Sequence, residues 1–374
     1  MKSLCPNKEM CGSCGWSHIP YEKQLQQKLS DINGSFALKK LDLVCEEIVT
    51  SPKKEHYRNR MDFVIDFEGR VGMRQKGKWW KVIDDHTCFL ADEEIERLFH
   101  LVRDWTKTSG LTFFDRKAHT GLLRYAVIRV TKKGESMINI ITSVPEDVNA
   151  LKTALKDLFE QTNCTTLIWS ENSTVSDVSY GDRLETITGD GVIEEAIGGH
   201  LYRISPNAFF QTNSYGAEEL LATVEEFCGD LSDKHLLDLY CGSGFFSIAL
   251  AASARKTTGV EMVPEAIQDA KLNAELNQVT VDFHDAKTEE FDWKSLGADV
   301  VILDPPRSGM HDKALADVIT ALPQEIVYVS CNYKNFAREM VELVKYYDVE
   351  AMRAVDLFPH TPHVELVTHL VKRI

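Results

Sequence analysis

From about Pro206 onward, short apolar segments alternate with longer segments of helical periodicity. The apolar segments are His235–Leu239, Thr257–Glu261, Thr280–His284, Asp299–Leu303 and Glu325–Ser330. Apolar segments of this length, separated by helices, are typical of parallel strands in a sheet that helices cover on both faces. We therefore predict that residues 206–374 form a doubly wound α/β domain, in which ligands bind beyond the carboxyl ends of the strands.

Residues 1–205 follow a different pattern, with fewer helices and more frequent strands. Helical periodicity is present at Pro20–Lys40, Asp92–Thr108 and Pro145–Thr162. Strand-like alternation is present at Met61–Phe67, Val71–Met73, Trp79–Ile83, Leu122–Thr131, Met137–Thr142, Thr166–Trp169 and His200–Ser205. This pattern predicts a separate N-terminal α+β domain built around a sheet.

The charge of the chain is divided unevenly between these two parts. A net charge of −15 would argue against a nucleic-acid partner if it were spread over the whole chain. However, residues 206–374 carry 14 basic and 27 acidic side chains, whereas residues 1–205 carry 28 and 30. Lys53–Lys81 contains nine basic and four acidic residues, and Arg116–Lys133 contains six basic residues and no acidic one. Such segments suit RNA phosphates and bases, although solvated strand faces can have the same composition. We expect the N-terminal domain to bind RNA.

The composition also limits where the protein resides. The sequence has no run of 18 apolar residues, and it begins without the apolar segment of a secretory signal. We expect a cytoplasmic protein that does not span a membrane, and nothing in the sequence indicates an obligate protein partner.

Four of the nine cysteines form a recognisable pattern. Cys5, Cys11 and Cys14 have the spacing C-x5-C-x2-C, and Cys88 lies far downstream. Structural disulfides do not suit an intracellular chain with an odd number of cysteines. Three clustered cysteines and one distant cysteine suit a tetrahedral thiolate site for zinc or for an iron–sulfur cluster, with free thiols as the alternative.

A glycine-containing turn follows the first apolar segment of the C-terminal domain. The turn is Tyr240-Cys241-Gly242-Ser243-Gly244, and Glu261 ends the next segment, 19 residues after Gly242. Glycines followed by such an acid indicate a cofactor that contains adenosine, because the acid can accept hydrogen bonds from ribose hydroxyls. The turn lacks the third glycine of a pyrophosphate loop, and a later segment ends in Asp304-Pro305-Pro306. Both details favour S-adenosylmethionine over NAD.

Cys331 and Glu365 suggest a specific reaction. Cys331 follows the segment Glu325–Ser330 and should therefore lie at the functional edge of the sheet. Uracil C5 is too weak a nucleophile to attack a sulfonium methyl group directly, but a thiolate added to C6 makes C5 nucleophilic. A base must then remove the C5 proton. Cys331 can supply the thiolate and Glu365 the base, although alone each could be a buried cysteine or a surface acid.

Six motifs together resemble the RNA uracil-5-methyltransferase family, in order and over nearly the whole chain. They are Cys5/Cys11/Cys14/Cys88, Phe210-Gln211-Thr212-Asn213, Asp238-Leu239-Tyr240-Cys241-Gly242, Asp304-Pro305-Pro306-Arg307, Ser330-Cys331-Asn332 and Pro359-His360-Thr361-Pro362-His363-Val364-Glu365. The resemblance implies a Rossmann-like class I methyltransferase domain after an iron–sulfur and RNA-binding domain.

The resemblance also implies roles for individual residues. It implies a [4Fe–4S] cluster on the four cysteines of the first motif and contacts to S-adenosylmethionine from Gln211, Tyr240, Glu261 and Asp304. It implies Cys331 as the nucleophile and Glu365 as the proton acceptor. Cys241 resembles a loop residue of the family and not a second nucleophile.

The cysteine motif narrows the resemblance to one branch of the family. Bacterial members that modify tRNA lack the motif, and other members that modify ribosomal RNA carry a TRAM β-barrel before it. Because Cys5 lies so near the start of the sequence, we expect no such barrel. The chain then resembles the short branch that methylates a uridine of 23S ribosomal RNA, with the target base flipped from a loop.

Other functions compete with this interpretation. The first alternative is a tRNA uracil-5-methyltransferase. A second is a base N-methyltransferase that uses Asp304-Pro305-Pro306 and needs no thiol. A third is an RNA-binding module that retains a vestigial cofactor fold.

Overall fold

A computed structural model describes residues 4–84 and 88–374. In the first half of the chain the elements are α1 (Lys8–Cys11), α2 (Tyr21–Leu38), β1 (Glu47–Val49), β2 (Arg60–Ile65), β3 (Val71–Gln75), β4 (Lys78–Ile83), α3 (Glu93–Thr108), β5 (Leu123–Val130), β6 (Ser136–Thr142), α4 (Val148–Thr162), β7 (Thr166–Glu171), β8 (Arg183–Thr188), β9 (Ile193–Ile197) and β10 (His200–Ile204). The three long helices predicted from periodicity are present. Two of them begin at aspartate N-caps, Asp92 and Asp147, whose side chains accept hydrogen bonds from backbone N–H groups of the first turn.

The second half of the chain alternates strands and helices as predicted. The elements are α5 (Ser214–Cys228), β11 (His235–Leu239), α6 (Phe245–Ala251), β12 (Lys256–Glu261), α7 (Pro264–Leu276), β13 (Asp282–Asp285), β14 (Val300–Leu303), α8 (Asp312–Ala321), β15 (Glu325–Ser330), α9 (Tyr333–Leu343), β16 (Tyr347–Val355) and β17 (Glu365–Lys372).

A seven-stranded sheet forms the centre of the first half, in the order β4-β3-β2-β5-β6-β7-β8. Neighbouring strands are antiparallel except β6 and β7, which are parallel and joined through α4. Helices α3 and α4 cover one face, where Phe99, Trp105 and Leu155 lie in the same apolar core as Ile128 and Ile140 of the sheet. Strand β4 is left at an edge of this sheet.

An eight-stranded sheet forms the centre of the second half, in the order β1-β16-β17-β15-β14-β11-β12-β13. Strands β11 to β15 are parallel, and two apolar cores cover the two faces. One core contains residues of α5, α6 and α7, and the other contains residues of α2, α8 and α9. The chain reverses direction across the sheet between β11 and β14, which creates the crevice where doubly wound folds bind ligands.

The sheet is not parallel throughout, which corrects the purely parallel sheet predicted from the sequence. Strand β17 lies between β15 and β16 and is antiparallel to both. No helical segment separates β16 from β17, and an antiparallel partner can be reached by a short connection, whereas a parallel one needs a long crossover. The insertion also brings residue 365 to the edge of the sheet where β15 ends.

The two sheets do not divide the chain at residues 205 and 206. Strand β1 joins the C-terminal sheet, in parallel register with β16. Helix α2 packs on α9, with the rings of Phe36 and Phe336 6.1 Å apart. The boundary between domains at 205/206 stays a prediction, whereas the packing shows that residues 21–49 belong structurally to the C-terminal sheet.

A buried ion pair fixes this N-terminal segment to the C-terminal one. Lys28 and Asp356 are in direct contact at 2.5 Å, and both side chains are fully shielded from solvent. Tyr21 donates a second hydrogen bond to Asp356 at 2.9 Å, and Lys28 also donates to the carbonyl of Phe358. A buried charge of this kind is tolerated because each group has its partner. The pair therefore orients the loop that leads to β17.

Within residues 4–84 and 88–374, no helix is both long enough and apolar enough to cross a membrane.

Candidate active site

The register of the parallel strands places four of the predicted site residues at one edge of the sheet. Leu239 pairs with Val260 on one side and with Leu303 on the other, and Leu303 pairs with Tyr328. The residues that follow these strand ends therefore emerge together at the carboxyl edge of the sheet. They are Tyr240, Glu261, Asp304 and Cys331.

Antiparallel pairing brings Glu365 to the same edge. Ser330, at the end of β15, pairs with Leu366 near the start of β17. Cys331 and Glu365 are the next residues along the two strands, so they lie across from each other where the pairing ends. Glu365 is 7% exposed, whereas the Cys331 side chain is partly exposed. The structure therefore places a reachable thiol beside a buried carboxyl group.

Burial and neighbouring charge determine the protonation of these groups. Burial raises the pKa of Glu365 to about 7. Burial, followed by the charges of Glu365 and Asp304, raises the pKa of Cys331 to about 12, against a smaller opposing effect of Arg307. Burial also holds the pKa of Asp304 well above its usual range, with Glu365 and Asp238 adding to the shift. A base with a pKa near neutrality is well matched to proton transfer at physiological pH.

Arg307 and Asn332 were not assigned a role from the sequence, and the structure shows what they contact. Asn332 Nδ2 donates to the carbonyl oxygen of Arg307 at 3.0 Å, which links the Cys331 turn to the loop after Asp304. The Asn332 side chain also caps α9 by accepting from Lys334 N. Arg307 Nη2 lies 3.3 Å from His363 Nδ1. The sequence could have indicated a functional role for Arg307. It is a cation in a strongly acidic half of the chain and lies directly after the motif that contains Asp304.

The glycine turn after β11 is shaped to leave room for a ligand. Tyr240, Gly242 and Gly244 all have positive φ angles, of 69°, 54° and 86°. A Cβ atom at Gly242 would meet no other atom within 4 Å, so the turn borders open space. Glu261 accepts hydrogen bonds from Gly242 N at 3.2 Å and Val263 N at 2.9 Å, which orients its carboxylate beside the turn. These residues fit an adenosine-containing cofactor.

Gln211 lies on a segment that connects the two sheets. Its carbonyl oxygen accepts a hydrogen bond from Asn59 Nδ2 at 3.0 Å, just before β2. Two residues later, Asn213 caps α5 and donates to the carbonyl of Leu357 at 2.8 Å. The backbone at Gln211 is therefore anchored to both halves of the molecule.

The four cysteines of the predicted cluster site are neighbours. Cys5, Cys11 and Cys88 are the residues whose charges act on the Cys14 thiol, after burial, to raise its pKa. Cys5 and Cys14 are buried, Cys11 and Cys88 are partly exposed, and all nine cysteines of the chain are free thiols. Among residues 4–84 and 88–374, no group of three or more His, Cys, Asp or Glu side chains has a geometry ready to hold a metal ion. The structure thus brings the four predicted cysteines together, but not in a geometry ready to bind a metal ion.

Cys241 differs from Cys331 in its surroundings. Cys241 is 5% exposed and lies in the apolar core beneath the glycine turn. Burial, followed by the charges of Asp238 and Glu261, raises the pKa of the Cys241 thiol well above its usual range. A buried protonated thiol is inert, so the surroundings do not favour Cys241 as a nucleophile.

Comparison with known proteins gives consistent similarities. Residues 190–373 match a family model described as tRNA (Uracil-5-)-methyltransferase. The chain is 38% identical over 391 residues to an uncharacterized RNA methyltransferase of Caldanaerobacter subterraneus subsp. tengcongensis, covering 100% of this chain and 85% of that protein. It is 36% identical over 365 residues to the tRNA (uracil(54)-C(5))-methyltransferase of Pyrococcus horikoshii, covering 96% of this chain and 84% of that protein.

A solved structure is similar over almost the whole chain. It is the crystal structure of Pyrococcus abyssi tRNA (uracil-54, C5)-methyltransferase in complex with S-adenosyl-L-homocysteine. The TM-score is 0.82 at 34% identity, and the similarity covers 99% of this chain and 88% of that chain.

The raised pKa of Glu365 predicts a pH-dependent effect on stability. Its pKa is about 7 in the folded protein against an ordinary value of 4.5, so folding favours the protonated form. The contribution of the protonated Glu365 to the free energy of unfolding is complete below pH 4.5 and is lost as the pH rises through 7. Replacing Glu365→Gln should therefore stabilise the protein relative to wild type at pH 8, by up to about 3 kcal/mol, and have little effect at pH 4.5. Urea unfolding at both pH values measures the difference, with the exposed Glu160→Gln as control. Equal differences at the two pH values would contradict the burial of an ionisable Glu365.

Proposed function

The chain belongs to the RNA uracil-5-methyltransferase family, as its motifs predicted, and we propose that it methylates uracil through a covalent bond between Cys331 Sγ and uracil C6. It is an S-adenosylmethionine-dependent RNA methyltransferase, and its doubly wound domain has the α/β class I methyltransferase fold. The observation that carries the proposed mechanism is the position of Cys331 across from Glu365 at the end of the β15–β17 pairing.

In the proposed mechanism, Cys331 and Glu365 act in sequence. The Cys331 thiolate adds to C6 of the flipped uracil, and the electron pair moved onto the ring makes C5 nucleophilic. C5 then gains the methyl group. Glu365 accepts the proton that C5 still carries, and the C6–S bond breaks to release Cys331 and the 5-methyluracil product. Burial first, and then the carboxyl groups of Glu365 and Asp304, raise the pKa of Cys331, so formation of the thiolate depends on stabilisation by a cation such as Arg307.

S-adenosylmethionine, when bound, supplies the electrophilic methyl group. We propose that Gln211, Tyr240, Glu261 and Asp304 hold it. The open space at Gly242 and the carboxylate of Glu261 beside it support this proposal. Burial raises the pKa of Asp304 and so favours its protonated form, which can donate a hydrogen bond to the ligand.

Two substitutions separate the nucleophile from the base. Cys331→Ala should lower methyl transfer by at least about 10³-fold, because the step that activates C5 is lost. Glu365→Gln should still form the bond between Cys331 and RNA but release it slowly, lowering turnover by about 10² to 10⁴-fold. A covalent protein–RNA species should therefore accumulate in Glu365→Gln and be seen as a slow band on a denaturing gel.

The matched control is Cys228→Ala, which changes a buried cysteine at the end of α5. It should retain wild-type turnover and form no additional covalent species. Full activity in Cys331→Ala would refute the proposed mechanism and would favour N-methylation, which needs no thiol.

We also propose that Cys5, Cys11, Cys14 and Cys88 hold a [4Fe–4S] cluster. The four residues are neighbours, form no disulfide, and are of the ligand type and number that such clusters use. The cysteine segment also contacts the catalytic half, because Trp16 N donates to the carbonyl of His360 at 3.1 Å. A structural role suits a reaction that transfers a methyl group and no electron.

Iron analysis tests the cluster. Protein purified without oxygen should contain about four iron and four sulfide ions per chain, the stoichiometry of the proposed cluster. Cys14→Ser should lose most of this iron, because it removes the most buried ligand, whereas Cys45→Ser, at another buried thiol, should retain it. Stoichiometric zinc without sulfide would overturn the cluster in favour of the alternative metal.

Two kinds of RNA are candidates for the substrate. The cysteine motif favours a uridine of 23S ribosomal RNA, in a loop where the base can leave the stack at low cost. A tRNA uridine is a second candidate, and the similarity to the Pyrococcus enzymes named as tRNA (uracil(54)-C(5))-methyltransferases favours it.

Labelled methyl transfer to defined transcripts separates the two targets. Unmodified 23S ribosomal RNA and tRNA transcripts should be incubated with labelled S-adenosylmethionine, and the label should be located by digestion. We expect one uridine of 23S ribosomal RNA to carry the label, and a transcript in which that uridine is replaced by cytidine should carry none. Label on tRNA alone would overturn the target and leave the chemistry unchanged.

A further inference from the structure

The β3–β4 hairpin exposes two tryptophans at an edge of the N-terminal sheet. Trp79 and Trp80 are 50% and 51% exposed, and their ring centroids lie 5.9 Å apart at an interplanar angle of 88°. By contrast, Trp105, Trp169 and Trp293 are buried. Two large aromatic side chains held half in water serve no core, and such apolar exposure marks a binding surface.

The charge around these rings favours a nucleic acid as the partner. Lys76, Lys78 and Lys81 are exposed on the same hairpin, and none forms an ion pair with another residue of the described chain. Lysines on an edge strand can simply prevent sheet-to-sheet association. That explanation does not account for the tryptophans beside them, which would promote association. Aromatic rings among unpaired cations are instead the arrangement that binds single-stranded RNA, by base stacking and phosphate contact.

A cavity of about 400 Å³ is lined by residues of both the hairpin and the catalytic half. Met73 of β3 lines it together with Phe210 and Thr361, which belong to the motifs of the methyltransferase domain. Three arginines also line it, Arg58, Arg60 and Arg129, against one aspartate, Asp62.

The lining of this cavity carries an excess of positive charge. Arg60 and Arg129 lie directly opposite each other on β2 and β5, a pairing of like charges that costs stability. Arg60 is paired with Asp62. Arg129 is 4% exposed, donates through Nη2 to the carbonyl of Ala208 at 3.0 Å, and has no hydrogen-bond partner at Nη1 within the described residues. An RNA phosphate entering the cavity would supply the missing negative charge.

The hairpin is fixed in place by the cysteine segment. Lys76 N donates to the carbonyl of Met10 at 2.6 Å, and the side chain of Lys76 lies against Gly12. A platform anchored in this way is positioned before RNA arrives. The cysteine segment thus supports a surface that lies outside the catalytic residues themselves.

We propose that the β3–β4 hairpin is a stacking platform for a single-stranded segment of the substrate RNA, which runs from Trp79 and Trp80 toward the arginine-lined cavity. This proposal rests on the proposed function, because it assigns the RNA strand next to the methylated uridine. The bases stack on the two rings, and the lysines contact phosphates on the same strand.

Binding and fluorescence measurements on the whole protein test the platform. A single-stranded RNA oligomer should shield tryptophan fluorescence from acrylamide, whereas a duplex of the same sequence should not, because paired bases cannot stack on the rings. Trp79→Ala/Trp80→Ala should weaken binding of the single strand by at least about tenfold. Lys78→Gln/Lys81→Gln should reduce the slope of log Kd against the logarithm of the salt concentration. The reduction should correspond to the loss of about one phosphate contact or more. Tyr346→Ala, at an exposed aromatic of the catalytic half, should change neither quantity.

The outcomes separate this proposal from the proposed function. If wild type methylates RNA and Trp79→Ala/Trp80→Ala binds the single strand within twofold of wild type, the platform is refuted and the chemistry stands. If the double variant binds RNA normally but changes from a dimer to a monomer in sedimentation, the hairpin is a self-association surface and the platform is again refuted. If wild type methylates no RNA, the proposed function fails, and tenfold weaker binding in the variant would still support the platform. Unchanged unfolding midpoints in urea establish that the variants are folded.

Discussion

The antiparallel insertion of β17 between β15 and β16 is the constraint on which the geometry of the candidate active site depends. A purely parallel sheet would send the chain away from its carboxyl edge after β15, and residue 365 would enter the next strand at the opposite edge. Reversing β17 places its start beside the end of β15, where Ser330 pairs with Leu366, so the backbone hydrogen bonds bring Glu365 and Cys331 together. Their proximity thus depends on strand register and not on a flexible loop, which gives it the precision that the proposed two-step reaction needs.

Burial then gives the paired groups their chemical character. Glu365, Asp304 and Asp238 are all carboxyl groups whose pKa values are raised by burial, and at Asp304 the charges of Glu365 and Asp238 add to the shift. Such an environment favours the protonated forms of the Cys331 thiol and of Asp304, and it brings the pKa of Glu365 close to neutrality. Arg307 is the cation whose charge acts on Cys331, and Asn332 holds the loop that contains it. Without substrate, the site therefore disfavours ionisation of the Cys331 thiol.

The predictability of this structure from sequence varies with the kind of residue. Strands β11, β14 and β15 were predicted closely because they are buried and mostly apolar. Strand β13, at the edge of the sheet, begins two residues later than the predicted segment and is only partly buried. Strand β1 was missed because three residues carry too little pattern, and its place is set by pairing with β16, over 300 residues later. Cys331 and Glu365 were predicted as site residues from their motifs and from reaction chemistry, whereas Arg129 was noticed only as part of a basic segment. Lys28 is invisible to sequence patterns, because a lysine in an amphipathic helix is normally exposed, and only tertiary contact with Asp356 explains its burial.

The joining of the two chain ends has a consequence for how the protein is made. Strand β1 pairs with β16, Lys28 needs Asp356, and the backbone of Trp16 needs His360. During synthesis the first fifty residues cannot form these contacts until nearly the entire chain has left the ribosome. The seven-stranded sheet, whose strands all lie between residues 60 and 188, can fold meanwhile. Contacts of such long range slow folding, so closure of the N-terminal segment over the catalytic half is the natural last step of maturation.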